Sequence, residues 1–178
     1  MSNSRSKYSG YDLLLGGLLM ALALVFPVLF HAVGLGSAFL PMFFPIMAAG
    51  FLVALPAAIA VGVMSPLVSA FITGMPPFFP PVVFIMMAEG LALTAVPALL
   101  YRQLKVNAWV SAIMAMAVDR LIMLAAILLL SRMLELPGGV LTAASLFKGL
   151  PGTILIPLVV PPLVKKMEAI VRVSRMSE

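Results

Sequence analysis

Three ionisable residues stand inside long apolar stretches of the sequence, namely Glu89, Asp119 and Arg120. A charged side chain within a bilayer costs at least about 2.5–3.5 kcal/mol on insertion scales, so it is retained where it is paired or lines a cavity. Glu89 or Asp119 can therefore form an ion pair with Arg120 that holds two helices together. The same three residues can instead line an outward-facing pocket that orients a polar solute, and the two roles are compatible.

The run of residues 75–81 is the second unusual feature, because it contains four prolines and two phenylalanines. Proline removes backbone donors and clashes with the preceding turn, so this run cannot be a regular helix. Irregular backbone at membrane depth is tolerated only where protein buries it or a cavity solvates it. We predict an apolar lid, rather than an ordinary exposed loop, in which Met75, Phe78 and Phe79 contact a flat or apolar ligand.

His31 and Lys148 are two further polar candidates, each expected at the outer end of a helix. His31 can form a hydrogen bond in a pocket, although a lone interfacial histidine more often has no such role. Lys148 can snorkel to the outer interface, or it can close a pocket over an anionic group. The sequence leaves these two roles of Lys148 open.

Most catalytic and metal-binding arrangements are excluded, because the chain has no cysteine and a single histidine. Disulfides, thiolate metal sites and cysteine nucleophiles all need cysteine, and a zinc site made of His and Cys is not expected. There is also no H-E-x-x-H motif and no Gly-Lys loop that would cradle phosphates. We therefore expect no enzymatic activity, no metal and no cofactor.

The composition of the chain is that of a membrane protein. Of its 178 residues, 63% are hydrophobic and 10% are charged, against about 45–50% and about 25% in soluble domains. A soluble domain this short could not bury so much apolar surface. The net charge of +5 does not indicate nucleic acid binding, because the basic residues flank apolar runs as the positive-inside rule expects.

Apolar runs and the Gly and Pro residues between them predict six transmembrane helices. A helix needs about 20 mostly apolar residues to cross a bilayer, and about six such helices fit this length with short connections. We predict an all-α integral membrane protein in which residues 1–178 form one compact bundle. The six spans are expected at residues 12–30, 39–54, 56–73, 82–101, 107–134 and 149–164.

The distribution of basic residues predicts the orientation of these spans. Eight of the eleven Lys and Arg residues fall on one side of a six-span arrangement: Arg5, Lys7, Arg102, Lys105, Lys165, Lys166, Arg172 and Arg175. Because short cytoplasmic loops are enriched in Lys and Arg, we expect the N and C termini to be cytoplasmic. The Gly- and Pro-rich loops then face outside.

Two small residues, Gly17 and Ala21, stand four positions apart in the first span. This spacing allows a second helix to approach closely. Such patterns are also frequent in ordinary packing within a chain, so the spacing alone is a weak indicator of a docking face.

An ordered series of short motifs, spread over about residues 12–165, resembles the S component of energy-coupling factor (ECF) vitamin transporters, which is their substrate-binding membrane subunit. No single motif is specific, and the resemblance rests on their order. The motifs are F-L-P-M at 39–42, F-P-I at 44–46, A-G-F at 49–51, S-P-L at 65–67, T-G-M-P at 73–76, E-G at 89–90, D-R at 119–120, G-L-P-G at 149–152 and I-P at 156–157.

The resemblance implies a six-span protein that binds a vitamin or related micronutrient at its outer side. It also implies a separate transmembrane coupling subunit and two cytoplasmic ATPases as partners. The outer loops and the outer halves of spans 4–6 would build the site, and the small residues Gly17 and Ala21 of span 1 would form the docking face. Asp119 stands where many relatives have glycine, so the resemblance does not define the substrate.

We therefore expect a multi-pass protein of the cell membrane of a prokaryote, which captures its substrate for an ATP-driven importer. The candidate substrate-binding residues are Glu89, Arg120, Asp119, His31, Met75, Phe78, Phe79 and Lys148. The alternative is a stand-alone secondary carrier or channel for a small organic solute. The lack of an internal sequence repeat argues against that alternative. A membrane scaffold that transports nothing is a third possibility.

Overall fold

The computed structural model describes residues 10–79, 81–133 and 149–176, and these residues are largely helical and contain no β-strand. The predicted all-α fold is therefore confirmed. A π-helical turn over Ala98–Gln103 directly follows the helix that ends at Pro97. The helices are α1 (Gly10–Ala32), α2 (Gly36–Phe39), α3 (Phe43–Leu52), α4 (Leu55–Thr73), α5 (Val82–Pro97), α6 (Ala108–Met133) and α7 (Leu150–Met176).

Five helical segments in the described part of the chain are long and apolar enough to cross a membrane. Each carries many large apolar side chains on its outer surface, as expected for helices that face lipid. The cytoplasmic position of the termini remains a prediction. The five segments are Gly10–Ala32, Leu55–Thr73, Val82–Gln103, Ala108–Leu129 and Leu150–Ala169.

The second apolar segment differs from the single helix that we expected over residues 39–54. It consists of the four-residue α2, a turn, and the ten-residue α3. Leu40 adopts a left-handed conformation with φ 51° at this turn. Its neighbour Pro41 explains the break, because a proline disfavours the α conformation in the residue before it and offers no donor of its own.

Helix α3 lies at the centre of the bundle, in contact with α1, α4, α5 and α7. Eight of its ten residues are buried, including the large side chains of Phe43, Ile46, Met47 and Phe51. A helix that is apolar on every side is stable only when other apolar elements surround it. The longer helices therefore pack around α3 and turn their remaining faces outward.

Close backbone contacts at glycines hold α4 and α5 together. A Cβ atom on Gly62 would collide with the Gly90 carbonyl group, and a Cβ atom on Gly90 would collide with that of Gly62. A Cβ atom on Gly50 of α3 would lie 2.5 Å from the Thr94 carbonyl oxygen in α5. Small residues at helix crossings permit this close approach.

The two ends of the bundle have different chemistry. At one end, which we call the basic end, the Asp12 carboxylate of α1 accepts a 2.7 Å hydrogen bond from the Ala54 backbone N–H, just before α4. Arg102 and Lys105, between α5 and α6, lie at the same end. The opposite end, which we call the loop end, contains the connections 33–42 and 74–81 and the start of α7.

Replacing Gly62 or Gly90 by alanine is expected to lower the free energy of unfolding by about 1–3 kcal/mol, because the added methyl groups force α4 and α5 apart. Thermal unfolding of the purified chain in detergent measures this effect. Gly17→Ala is the matched control, since a Cβ atom there meets nothing within 4 Å. A loss of stability in the control as large as in the two variants would contradict the proposed contact.

Candidate functional site

A cavity of about 560 Å³ opens at the loop end of the bundle. Its wall combines the last turns of α1 and α4, the break between α2 and α3, the first residues of the 74–81 connection, and the start of α5. Ligand pockets of small molecules commonly have volumes of about 300–1,000 Å³. The cavity is therefore of the right size to enclose an organic molecule.

The wall of this loop-end cavity is mostly apolar. Its apolar side chains include Val28, Leu40, Met42, Phe43 and Met86, and its polar side chains are His31, Ser37, Ser69 and Thr73. A pocket with a few polar groups in an apolar wall binds its ligand by burial and orients it by a small number of hydrogen bonds.

Two of these polar side chains already form hydrogen bonds with the protein backbone. The Ser69 hydroxyl donates a 2.7 Å hydrogen bond to the Met75 carbonyl oxygen. The Thr73 hydroxyl donates to the Ser69 carbonyl oxygen at 2.8 Å and accepts a 3.2 Å hydrogen bond from the Met75 N–H. These bonds attach the first residues of the 74–81 connection to α4, and so they fix one side of the cavity.

The His31 imidazole lies against the backbone of Gly36. A Cβ atom on Gly36 would be 2.5 Å from both Cε1 and Nδ1 of this ring. A side chain at position 36 would therefore displace the His31 ring from its place in the cavity wall. Gly36 is not among the residues predicted from the sequence, although its place five residues after a histidine was an available indication.

Some residues of the proline-rich connection line the cavity, and others lie on the outer surface of the bundle. Met75, Pro76 and Pro77 line the cavity. Phe78 instead packs on the outside against Phe71 of α4 and Phe84 of α5, with ring centroids 5.3 and 6.4 Å away.

Phe79 is also directed outward, with 75% of its surface exposed. Of the run that we expected to form a lid, residues 75–77 are therefore the part that lines the cavity. Phe78 and Phe79 do not contribute to the cavity lining.

The intramembrane charges form a separate cluster between α5 and α6. The Arg120 guanidinium binds one carboxylate oxygen of Asp119, with Nη2–Oδ2 and Nε–Oδ2 distances of 2.6 and 2.7 Å. Glu89 is 3% exposed and lies within electrostatic range of both residues. Of the two ion pairs considered from the sequence, the described residues show Asp119 with Arg120. Both residues lie on α6, so this pair does not hold two helices together as expected.

This cluster has unused hydrogen-bonding capacity. Glu89 Oε1 and Asp119 Oδ1 are buried and have no hydrogen-bond partner among the described residues. Buried polar atoms are usually paired, and an unpaired one indicates strain, function or a missing partner. Lys148, which we expected at the outer end just before span 6, lies outside the described residues.

Arg120 of the charge cluster and Leu40 both lie near Gly149. A Cβ atom on Gly149, just before α7, would lie 3.3 Å from Arg120 Nη1 and 3.4 Å from Leu40 Cδ1. Leu40 itself lines the cavity. The structure thus places His31 and Met75 in the cavity wall, whereas Glu89, Asp119 and Arg120 lie outside that wall, with Arg120 close to Leu40.

The two small residues of α1 lie on its free surface. Gly17 and Ala21 are exposed, and a Cβ atom on Gly17 would meet nothing within 4 Å. The neighbouring Gly16 faces the bundle instead, where its Cβ atom would be 3.8 Å from Val61 Cγ2 of α4. The face that contains Gly17 and Ala21 is therefore available for a helix of another protein.

Comparison with known proteins gives one match. The model of the family described as "ECF transporter, substrate-specific component" matches residues 12–164. No curated protein and no solved structure matches the chain.

Removing Arg120 is expected to destabilise the protein strongly, because Asp119 would keep a buried charge without a partner. Loss of one member of a buried pair typically costs about 3–5 kcal/mol. Arg120→Leu should therefore lower the thermal unfolding midpoint in detergent, and the double variant Asp119→Asn/Arg120→Leu should recover part of the loss. Additive effects in this double-mutant cycle would contradict a direct interaction between the two side chains.

Proposed function

The chain belongs to the family of ECF transporter substrate-specific components, and from this premise we propose that it captures a vitamin or related micronutrient for an ATP-driven importer. Membership of this family makes it a membrane subunit of a transporter, and the family is not one of enzymes. The single observation that supports the capture of a substrate is the loop-end cavity, which has the volume and the largely apolar wall of a small-molecule site.

The cavity favours a substrate with a flat or apolar body and few polar groups. Phe43, Met42, Met75 and Met86 line it with aromatic and thioether groups, which adapt to flat ring systems. Since Ser69 and Thr73 are engaged with backbone groups, His31 and Ser37 are the side chains with the most capacity to bind the polar part of the substrate.

The charge cluster would act from outside this cavity wall. The unpartnered Glu89 and Asp119 oxygens and the Arg120 guanidinium lie between α5 and α6, and Arg120 is close to Leu40 of the wall. We propose that these three residues, together with Lys148, bind a polar group of the substrate that extends from the cavity beyond Leu40. Phe78 and Phe79, which face outward in the structure, would join the site only after these two side chains move toward the cavity.

The proposed partners are a transmembrane coupling subunit and two cytoplasmic ATPase subunits, in the plasma membrane of a prokaryote. The exposed face of α1 around Gly17 and Ala21 is the proposed docking surface for the coupling subunit. Its lack of side-chain bulk would let a helix of that subunit approach the α1 backbone closely. The basic end would face the cytoplasm, as the positive-inside rule predicts.

Substrate binding is expected to be saturable and to depend on the cavity wall. Titration of the detergent-purified chain with a panel of vitamins, followed by thermal unfolding and native mass spectrometry, should identify one compound that stabilises the protein. Substituting His31→Ala should weaken its binding about tenfold, as for loss of a hydrogen bond worth about 1.4 kcal/mol.

Ile113→Ala is the matched control for this experiment, because Ile113 of α6 is 57% exposed on the outer surface and does not line the cavity. Its affinity should equal that of the unmodified protein. If no compound of the panel binds, or if both variants weaken binding equally, the loop-end cavity is not the substrate site.

Docking is expected to fail when the small face of α1 is enlarged. Gly17→Leu and Ala21→Trp should abolish uptake in cells that contain the partner subunits, while the purified variants bind substrate with unchanged affinity. Leu121→Trp, at a residue of α6 that is 64% exposed, is the control for added bulk on a lipid-facing surface.

Two outcomes would contradict this assignment. Loss of substrate binding in the α1 variants would show that the face supports the site rather than docking. Uptake into liposomes that contain this chain alone, without ATPases, would instead support the alternative of a stand-alone carrier.

A further inference from the structure

A second cavity, of about 650 Å³, lies at the basic end of the bundle. It is distinct from the loop-end cavity, because no residue lines both. Its wall is formed by the end of α3, the start of α4, the π-helical turn after α5, and Glu168 of α7. The transport function proposed above makes no use of this cavity.

One half of the wall is apolar and the other half is polar. Phe51, Leu52, Leu55 and Ala98 form the apolar part. The polar part consists of Tyr101, Arg102, Gln103, Lys105 and Glu168.

The single acidic side chain of this wall is already engaged. The Tyr101 hydroxyl donates a 2.8 Å hydrogen bond to Glu168 Oε2, and the Tyr101 ring packs edge-on against Phe51 with centroids 5.2 Å apart. A second carboxylate nearby, that of Asp12, binds the Ala54 backbone N–H. The two basic side chains of the wall therefore outnumber its acid.

Arg102 is a polar side chain of this wall whose hydrogen bonding is incomplete. Its Nη1 atom is buried and has no hydrogen-bond partner among the described residues. The positive-inside rule explains a basic residue at this end of a helix, but it does not explain why a guanidinium nitrogen should be withdrawn from water without a partner. A buried donor of this kind normally has an acceptor.

Lys105 occupies a position where glycine would be easier to accommodate. Its φ of 57° is left-handed, and the bonds from Leu104 N–H to the Leu99 carbonyl and from Val106 N–H to the Leu100 carbonyl close the helix end around it. Helices commonly end in this way with glycine, because a side chain in this conformation approaches the following carbonyl oxygen too closely. A lysine is nevertheless present, and it lines the cavity.

We propose that the basic-end cavity binds the phosphate group of an anionic phospholipid. Arg102 Nη1 and the Lys105 ammonium group would contact the phosphate oxygens, and the surface formed by Phe51, Leu52 and Leu55 would contact the glycerol and the first acyl carbons. Basic pockets between transmembrane helices on the cytoplasmic side are typical binding places for anionic lipid headgroups. The apolar half of the wall favours a lipid over a free phosphate, which would leave that half without a partner.

Native mass spectrometry and thermal unfolding of the full-length chain test this proposal. The delipidated protein in detergent is titrated with short-chain phosphatidylglycerol, short-chain phosphatidylcholine, glycerol 3-phosphate and inorganic phosphate. Phosphatidylglycerol should bind and raise the unfolding midpoint. Arg102→Gln and Lys105→Gln should each weaken its binding at least about tenfold, as expected for loss of a charge-assisted hydrogen bond.

Lys166→Gln is the matched control, because it removes an exposed positive charge near the same end outside the cavity wall. It should bind phosphatidylglycerol as the unmodified chain does. Equal weakening in Lys166→Gln, equal binding of phosphatidylcholine, or unchanged binding in the Arg102 and Lys105 variants would overturn the proposal. Binding of glycerol 3-phosphate or inorganic phosphate as tight as that of the lipid would overturn the lipid as occupant.

Two variants are used so that misfolding of one does not decide the result. Substrate binding at the loop-end cavity is measured in the same preparations and should be unchanged in both. Failure of the lipid proposal is thereby distinguishable from failure of the proposed transport function.

Discussion

Burial of the short helix α3 is the constraint on which the rest of the structure depends. Its ten residues extend about 15 Å at 1.5 Å per residue, which is half of a hydrocarbon core of about 30 Å. In lipid, irregular backbone is tolerated only where protein covers it or a cavity solvates it. The chain around Leu40 and Pro41 meets this condition because α1, α4, α5 and α7 surround α3. The same break forms part of the wall of the loop-end cavity.

Helix α3 and the turn before it therefore take part both in the closest helix contacts and in the loop-end cavity. Where α3 and α4 cross α5, glycines bring the backbones together and leave no room between them. Where α3 begins, a turn replaces the helix and a cavity of about 560 Å³ remains. The cavity is fixed on one side by the hydrogen bonds of Ser69 and Thr73 to Met75. A site held by packed helices loses less entropy on binding than a site made of loose loops.

Charge is distributed so that the two cavities differ in what they can bind. The loop-end cavity has an apolar wall with His31 as its ionisable side chain, and Arg120 and the wall residue Leu40 both lie near Gly149. The basic-end cavity contains Arg102 and Lys105 in its own wall. The two proposed sites, one for an apolar organic molecule and one for a phosphate group, thus lie at opposite ends of the same bundle.

The sequence by itself determined that this chain is an all-α membrane protein, that it resembles the ECF substrate-binding subunits, and that Glu89, Asp119 and Arg120 are its unusual residues. These conclusions follow from composition, from the length of apolar runs and from the cost of intramembrane charge, which are local properties. The division of the second segment at Leu40 was not predicted, although Pro41 and Pro45 marked it, because a proline near the start of a helix is also compatible with continuous structure. Only the tertiary structure decided that Arg120 pairs with Asp119, that His31 and Met75 share a cavity while Phe78 and Phe79 face outward, and that Gly36 makes room for an imidazole. His31 and Met75 are distant in sequence, whereas Asp119 and Arg120 are adjacent and His31 and Gly36 are five residues apart. In each case the contact depends on how the helices rotate and cross when the apolar faces pack around α3.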